Sequence, residues 1–168
     1  YVIRLAHEYW KVSGDVSPFG AEWAKAMKLI VKTFREQQRK DGNGPYSFRR
    51  KTSSAHDTAQ GTGFGNPVRP VGLICSVFRP SDDGSVFPFL IPSNFFAVQS
   101  LRQLAVMSDT ILHDKAFSME CKALAGEVHD ALFKYAVVDH FEYGKVYAYE
   151  TDGYGSVLFM DDANVPSL

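Results

Sequence analysis

A mainly α fold is predicted by three features of the sequence. Four segments have helical period, a long glycine- and proline-rich stretch from about Asp41 to Ile91 separates the second from the third, and short β-prone pieces are confined to the loops. The first segment, Tyr1–Lys11, places Ile3, Ala6, His7 and Trp10 on one side. The second follows Ser17-Pro18, a pair suited to an N-cap and a first helical turn. Its stripe is Trp23, Met27, Ile30, Val31 and Phe34, and a polar run stopped by Gly42 closes it. The third follows Pro92, with Ser93 as N-cap, and aligns Ala97, Leu101, Leu104 and Ala105. The fourth starts at Asp114 and presents Phe117, Cys121, Leu124, Val128, Leu132 and Tyr135. Each stripe is wide enough to be a core face. The β-prone pieces are Tyr46–Arg49, Gly72–Phe78, Lys145–Glu150 and Ser156–Phe159. Long loops in a compact domain are usually functional, so the helices read as scaffold and the chemistry falls on the excursions.

Composition narrows the function classes. At 168 residues the chain is long enough for one real core, and 45% hydrophobic with 22% charged residues is the balance of an ordinary globular protein. Aromatics at 14% suit a dense core, and they equally suit the apolar faces of sugars. A net charge of −1, with no Lys/Arg stripe, argues against a nucleic-acid partner; the short run Arg49-Arg50-Lys51 reads as a solvated strand end. No stretch approaches the roughly 20 apolar residues of a membrane span. Cys75 and Cys121 lie in apolar surroundings and read as buried free thiols. The chain neither begins with Met nor closes on a helix or polar tail, so both ends read as cut.

Most motif chemistry finds no candidate. Gly61-Thr62-Gly63-Phe64-Gly65 precedes Asn66-Pro67-Val68-Arg69-Pro70, which opens no helix, so it is no phosphate cradle. None of His7, His56, His113, His129 and His140 forms a pair with metal-ligand spacing, which argues against a metal site. Only His56, in Ser53-Ser54-Ala55-His56-Asp57, lies on a loop placed to join a site. There is no Gly-x-Ser-x-Gly elbow. Carboxylates remain, gathered in two places: Phe78-Arg79-Pro80-Ser81-Asp82-Asp83-Gly84, and Asp152-Gly153-Tyr154-Gly155 leading to Met160-Asp161-Asp162-Ala163-Asn164-Val165-Pro166. In both, adjacent acids follow an apolar run. Like charges held side by side in general split their titrations, and a carboxyl that keeps its proton near neutrality is the equipment of a general acid.

Longer runs around these acids carry a resemblance. Pro70-Val71-Gly72-Leu73-Ile74-Cys75-Ser76-Val77-Phe78-Arg79-Pro80-Ser81-Asp82-Asp83 and Phe89-Leu90-Ile91-Pro92-Ser93-Asn94-Phe95-Phe96-Ala97-Val98 resemble glycoside hydrolase family 125, metal-independent exo-α-1,6-mannosidases. Asp41-Gly42-Asn43-Gly44-Pro45-Tyr46-Ser47-Phe48-Arg49-Arg50, Tyr149-Glu150-Thr151-Asp152-Gly153-Tyr154-Gly155 and Met160-Asp161-Asp162-Ala163-Asn164-Val165-Pro166-Ser167 match in the same order. The resemblance implies that residues 1–168 are a partial catalytic domain, a fragment of an (α/α)6 barrel with long loops and short β-hairpin excursions. It implies an inverting mechanism on α-linked mannose oligosaccharides, without metal or cofactor. The general acid falls at Asp82 or Asp83. Arg79 would hold the acid pair, and Asp161, Asp162 and Asn164 would bond sugar hydroxyls, with Tyr46, Arg49 and His56 as further candidates. An inverting enzyme needs a separate base across the ring; the resemblance puts it beyond the C-terminal motif, so none is assigned here and the piece alone is expected to be inactive.

Two other readings fit the same residues: a non-catalytic carbohydrate-binding module, and a helix-barrel glycosidase for another sugar. Because a partial ring leaves inner faces without neighbours, stripes such as Trp23/Met27/Ile30 and Leu124/Val128/Leu132 are expected to be partly uncovered.

Overall fold

The structure is a computed structural model that describes residues 1–159. The helices are α1 (Val2–Ser13), α2 (Ala21–Gln37), α3 (Ile91–Thr110) and α4 (Lys115–Tyr135), and the strands are β1 (Phe89–Leu90), β2 (Val137–His140), β3 (Gly144–Tyr147), β4 (Glu150–Thr151) and β5 (Val157–Leu158). All four helices fall on the predicted segments.

The centre of the molecule is the pair α3 and α4, joined by the short turn 111–114. Their facing positions Leu101, Leu104, Cys121, Leu124, Val128 and Leu132 have no exposed surface, and each leucine so buried stabilises the fold by roughly 1.5–3 kcal/mol. Asp114 caps α4 by accepting from the Phe117 amide at 3.0 Å, as its position before the apolar run predicts. Lys28 on α2 donates to the same carboxylate at 2.7 Å. One polar bond crosses the apolar seam: Ser118 Oγ donates to the Ala105 carbonyl at 2.8 Å. Helix α1 packs on α3, and α2 on α4. Met27 and Val31 are almost wholly buried, and Ile3 anchors α1.

Three element boundaries differ from expectation, each for a local reason. Helix α2 starts at Ala21 after Gly20, not at Ser17-Pro18; those residues lie in a turn in which Asp15 Oδ1 accepts from the Ser17 amide and Val16 O from the Phe19 amide. It also stops before Gly42, because Arg39 adopts left-handed φ of 57° and ends the helical path. Helix α3 starts at Ile91, not after Ser93. The chain passes straight from β1 into the helix, and the Ile91 amide donates to Tyr149 O at 2.9 Å, so no side-chain cap is needed there.

Tyr46–Arg49 and Gly72–Phe78 form no strand. The second is extended, but its backbone groups go to partners other than a ladder. Asn94, itself buried, accepts from the Ile74 amide at 2.8 Å and donates to the Ile74 carbonyl at 2.9 Å. Cys75 N donates to Gln37 O, and Ser76 N to Pro88 O. The C-terminal β-prone pieces do form strands. β2 and β3 make a hairpin with register Val137↔Tyr147 to His140↔Gly144. β1, β4 and β5 make an antiparallel sheet in that order, with Leu90 opposite Glu150 and Glu150 opposite Leu158.

Both cysteines are buried free thiols, and burial pushes each up to about 12. The expected uncovering of stripes is corrected in part. Leu124, Val128, Leu132 and Met27 are covered within the chain, because α3 and its neighbours fill that side, whereas Trp23 and Ile30 are only partly buried, as expected; exposed apolar residues on the helices include Leu5, Val12, Leu29, Met119 and Phe133. Among the described residues no helix is long and apolar enough to cross a membrane.

Two outcomes follow. Leu101→Ala in the protein as its gene encodes it lowers stability by about 2–5 kcal/mol, read as a fall in the denaturant midpoint; a change under about 0.5 kcal/mol would place Leu101 outside the core. The isolated stretch 1–168, with large apolar side chains such as Leu5, Val12, Leu29, Met119 and Phe133 bare on its helices, is expected to aggregate or to lack sharp near-UV circular dichroism. A cooperative thermal transition would refute that.

Candidate active site

The run after Phe78 closes on itself before it reaches the sheet. Phe78 and Gly84 form an isolated bridge, Arg79 N donates to Asp83 O at 2.8 Å, and Asp82 N to Arg79 O at 3.1 Å. A turn this tight forces Asp82 into left-handed φ of 71°, a conformation that non-glycine residues hold only when their surroundings impose it. Gly84 then passes so close to the neighbouring loop that a Cβ there would fall 2.9 Å from Thr58 O. Its amide donates to His56 O at 2.7 Å.

The two aspartates, adjacent in sequence, thus meet different surroundings. Asp82 leaves 76% of its side chain exposed, and its Oδ2 faces Arg50 Nη1 and Nη2, both at 3.4 Å. Asp83 is half-buried, and its Oδ2 accepts from Ser81 Oγ at 2.8 Å. Arg50 is itself placed: its Nε donates to Asp57 O, its amide to Thr58 Oγ1, and its guanidinium lies 5.8 Å from the Phe48 and Phe78 ring centres.

Beneath the turn lies a group that motif reading passed over. Glu150 on β4 has no exposed surface, and Arg79 Nε donates to its Oε1 at 2.7 Å. Its Oε2 accepts from the amides of Val86 and Phe87, each at 2.9 Å. Arg79 also lies over the Tyr149 ring, 5.4 Å from its centre. A cleft of about 320 Å³ opens beside Pro80, with Ser76, Gln37 and Phe96 among its walls.

The other sequence candidates are placed as follows. Tyr46 is half exposed, with its hydroxyl 3.5 Å from Thr33 Oγ1. Arg49 is exposed, and its side chain runs along Gly63. His56 sits in a short 3-10 turn, Ala55–Asp57, with its ring exposed; it meets the acid turn through its backbone carbonyl. Asp161, Asp162 and Asn164 lie outside the described residues. Arg50 and Glu150 were the residues that sequence reading did not select. A signal existed for Glu150, a carboxylate wedged between Ala148-Tyr149 and Thr151 in a β-prone run.

Asp152, from the second acidic region, has a structural role. It is nearly buried, and its Oδ1 accepts from the amides of Tyr154, Gly155 and Ser156 at 2.8, 3.2 and 3.0 Å. Burial opposes its charge, but the bonds from Ser156, Tyr154 and Gly155 together prevail and hold its carboxyl below the ordinary value. A lowered native pKa means stability that is present above the unfolded value and lost as pH falls through the native one. Asp152→Asn keeps an oxygen for the amides but does not titrate. Its urea midpoint is therefore expected to fall less than the parent's on acidification below about pH 4; equal losses would refute the assignment.

Comparison with known proteins places this geometry. The family described as metal-independent alpha-mannosidase (GH125) matches residues 1–168. The "Meiotically up-regulated gene 157 protein" of Schizosaccharomyces pombe (strain 972) is 38% identical over 175 residues, which cover 99% of this chain and 34% of that protein. A solved Streptococcus pneumoniae structure, from work on metal-independent alpha mannosidases and holding a non-productive complex with alpha-1,6-mannobiose, superimposes with a TM-score of 0.94 at 34% identity. That match covers 99% of this chain and 39% of the other. The chain thus spans little more than a third of the relatives it matches, and it has the helical fold of that part of their (α/α) barrel. It belongs to glycoside hydrolase family 125, the metal-independent α-mannosidases.

Proposed function

We propose that this chain supplies the general acid, and part of the sugar-binding surface, of an inverting exo-α-1,6-mannosidase. Family membership supports the α-mannosidase chemistry, and a relative that was caught with α-1,6-mannobiose supports the linkage. The observation that carries the acid assignment is the divergence of the two aspartates. Asp82 is held outward by a left-handed backbone, with one carboxylate oxygen clear of Arg50. An oxygen of Asp83 is occupied by Ser81 in a half-buried position. A proton donor must reach the glycosidic oxygen, so Asp82 is the acid and Asp83 shapes the turn. Asp82 protonates the leaving oxygen as the bond to the anomeric carbon breaks. A base from elsewhere in the full protein activates water on the opposite face, about 6.5–9.5 Å from the acid.

Arg50 and the exposed Phe48 ring lie beside this turn, Arg50 against Asp82 and Phe48 against Phe78, and the exposed ring of Tyr46 joins them as a proposed sugar contact. Aromatic faces suit the apolar sides of a pyranose, and guanidinium groups suit its hydroxyls as donors. Asp161, Asp162 and Asn164, from the same family motif, and Arg49 and His56 complete the proposed sugar-binding set.

The test uses two substrates and the full-length protein. In Asp82→Asn, hydrolysis of α-1,6-mannobiose falls by about 10²–10⁴-fold. Cleavage of α-mannosyl fluoride, whose leaving group departs without a proton, changes little. In Asp83→Asn the loss on mannobiose is smaller. Parental rates on mannobiose in both variants would sink the assignment, and a selective loss in Asp83→Asn alone would transfer the role to Asp83.

A further inference from the structure

Glu150 has every feature of a group that is fixed so that something else stays fixed. It lies 71 residues from Arg79 in sequence, is wholly buried, and sits in the middle strand of the β1–β4–β5 sheet. Its two oxygens are divided between the two ends of one loop. Oε1 takes the guanidinium of Arg79, where the acid turn begins, and Oε2 takes the amides of Val86 and Phe87, where the chain leaves the turn for β1. Between those ends lie Asp82 and Asp83. The turn adds its own bonds, from Arg79 N to Asp83 O and from Ser85 N to Val77 O, but none of these ties it to the sheet. Glu150 does.

From this placement we infer that Glu150 is a positioning residue for proton donation: by clamping both ends of the 79–87 loop it sets where the Asp82 carboxylate stands relative to the leaving oxygen. The inference rests on the acid assignment above. A carboxylate suits the task because it accepts from a charged donor and two amides at once, and its charge balances that of Arg79, itself largely buried. A glutamine there keeps size and one acceptor oxygen, yet it turns an acceptor into a donor facing either the guanidinium or the amides. The loop then shifts without the core being opened, and a misplacement of about 1 Å in a reacting group costs on the order of 10²-fold in rate.

The experiment compares Glu150→Gln with Asp82→Asn and Asp83→Asn in the full-length protein, on α-1,6-mannobiose and on α-mannosyl fluoride. Expected for Glu150→Gln is a fall of about 10²-fold in kcat on mannobiose, with KM within about threefold, fluoride cleavage within about threefold, and a displaced alkaline limb of the pH–rate profile. Equal losses on both substrates, or no loss on either, would overturn the proposal, since a merely structural role cannot sense the leaving group. If Glu150→Gln does not fold, Arg79→Lys takes its place, keeping the charge but not the fork of donors, and the same two outcomes decide. If neither aspartate variant shows the selective loss, the acid assignment has failed. If one does and the Glu150 or Arg79 variant does not, only the positioning role has failed.

Discussion

The buried carboxylate of Glu150 is the constraint on which the rest of the candidate site depends. Removing a charge from water is expensive, and it is tolerated only with a countercharge and enough hydrogen bonds. Here both are supplied by one loop: Arg79 brings the charge, and the Val86 and Phe87 amides bring the remaining donors. The loop therefore cannot drift without stranding the charge. A sheet of two-residue strands has little stability of its own. Its place is secured from behind, where β1 runs into α3 and the Ile91 amide reaches Tyr149 O. Order passes from the α3–α4 core to the sheet, from the sheet to Glu150, and from Glu150 to the acid turn.

The helices were legible because their signal is local and repeated. The stripe Phe117, Cys121, Leu124, Val128, Leu132 is buried as its spacing requires, and Asp114 caps it as placed. The boundaries that moved did so for tertiary reasons. Ser17-Pro18 is a plausible helix start by propensity, but Asp15 draws the Ser17 amide into a turn. Ser93 was not needed as a cap once a strand partner met the Ile91 amide. The extended run Leu73–Ser76 looked like a strand because it is apolar and buried, whereas Asn94, Gln37 and Pro88 satisfy its backbone in place of a neighbouring strand. Periodicity cannot register such partners.

The site was legible only where its chemistry lies in one run of sequence. The acids at 82 and 83 announce themselves by adjacency, and Arg79 by its nearness to them. Arg50 is the harder case: three basic residues in a row read as a solvated end, and the structure singles out one by folding the 52–58 loop around its guanidinium and amide. His56 drew notice for its ring, but it meets the turn through its carbonyl, a role any residue could fill. Such roles leave no mark on residue type.

The adjacent acids pose a problem that the fold resolves by geometry. Two carboxylates side by side on a regular strand would point to opposite faces, and on a loose loop they would share one environment. The left-handed backbone at Asp82 does neither. It turns one carboxylate outward toward Arg50 while the next folds back onto Ser81. That division requires a strained residue between two anchored ends, and the anchor common to both ends is Glu150. The differentiation of the pair is thus a property of the clamp as much as of the aspartates. It explains why a buried charge, poor as a source of stability, is found where a hydrophobic residue would pack as well: an apolar side chain could fill the space under the turn but could not hold both of its ends.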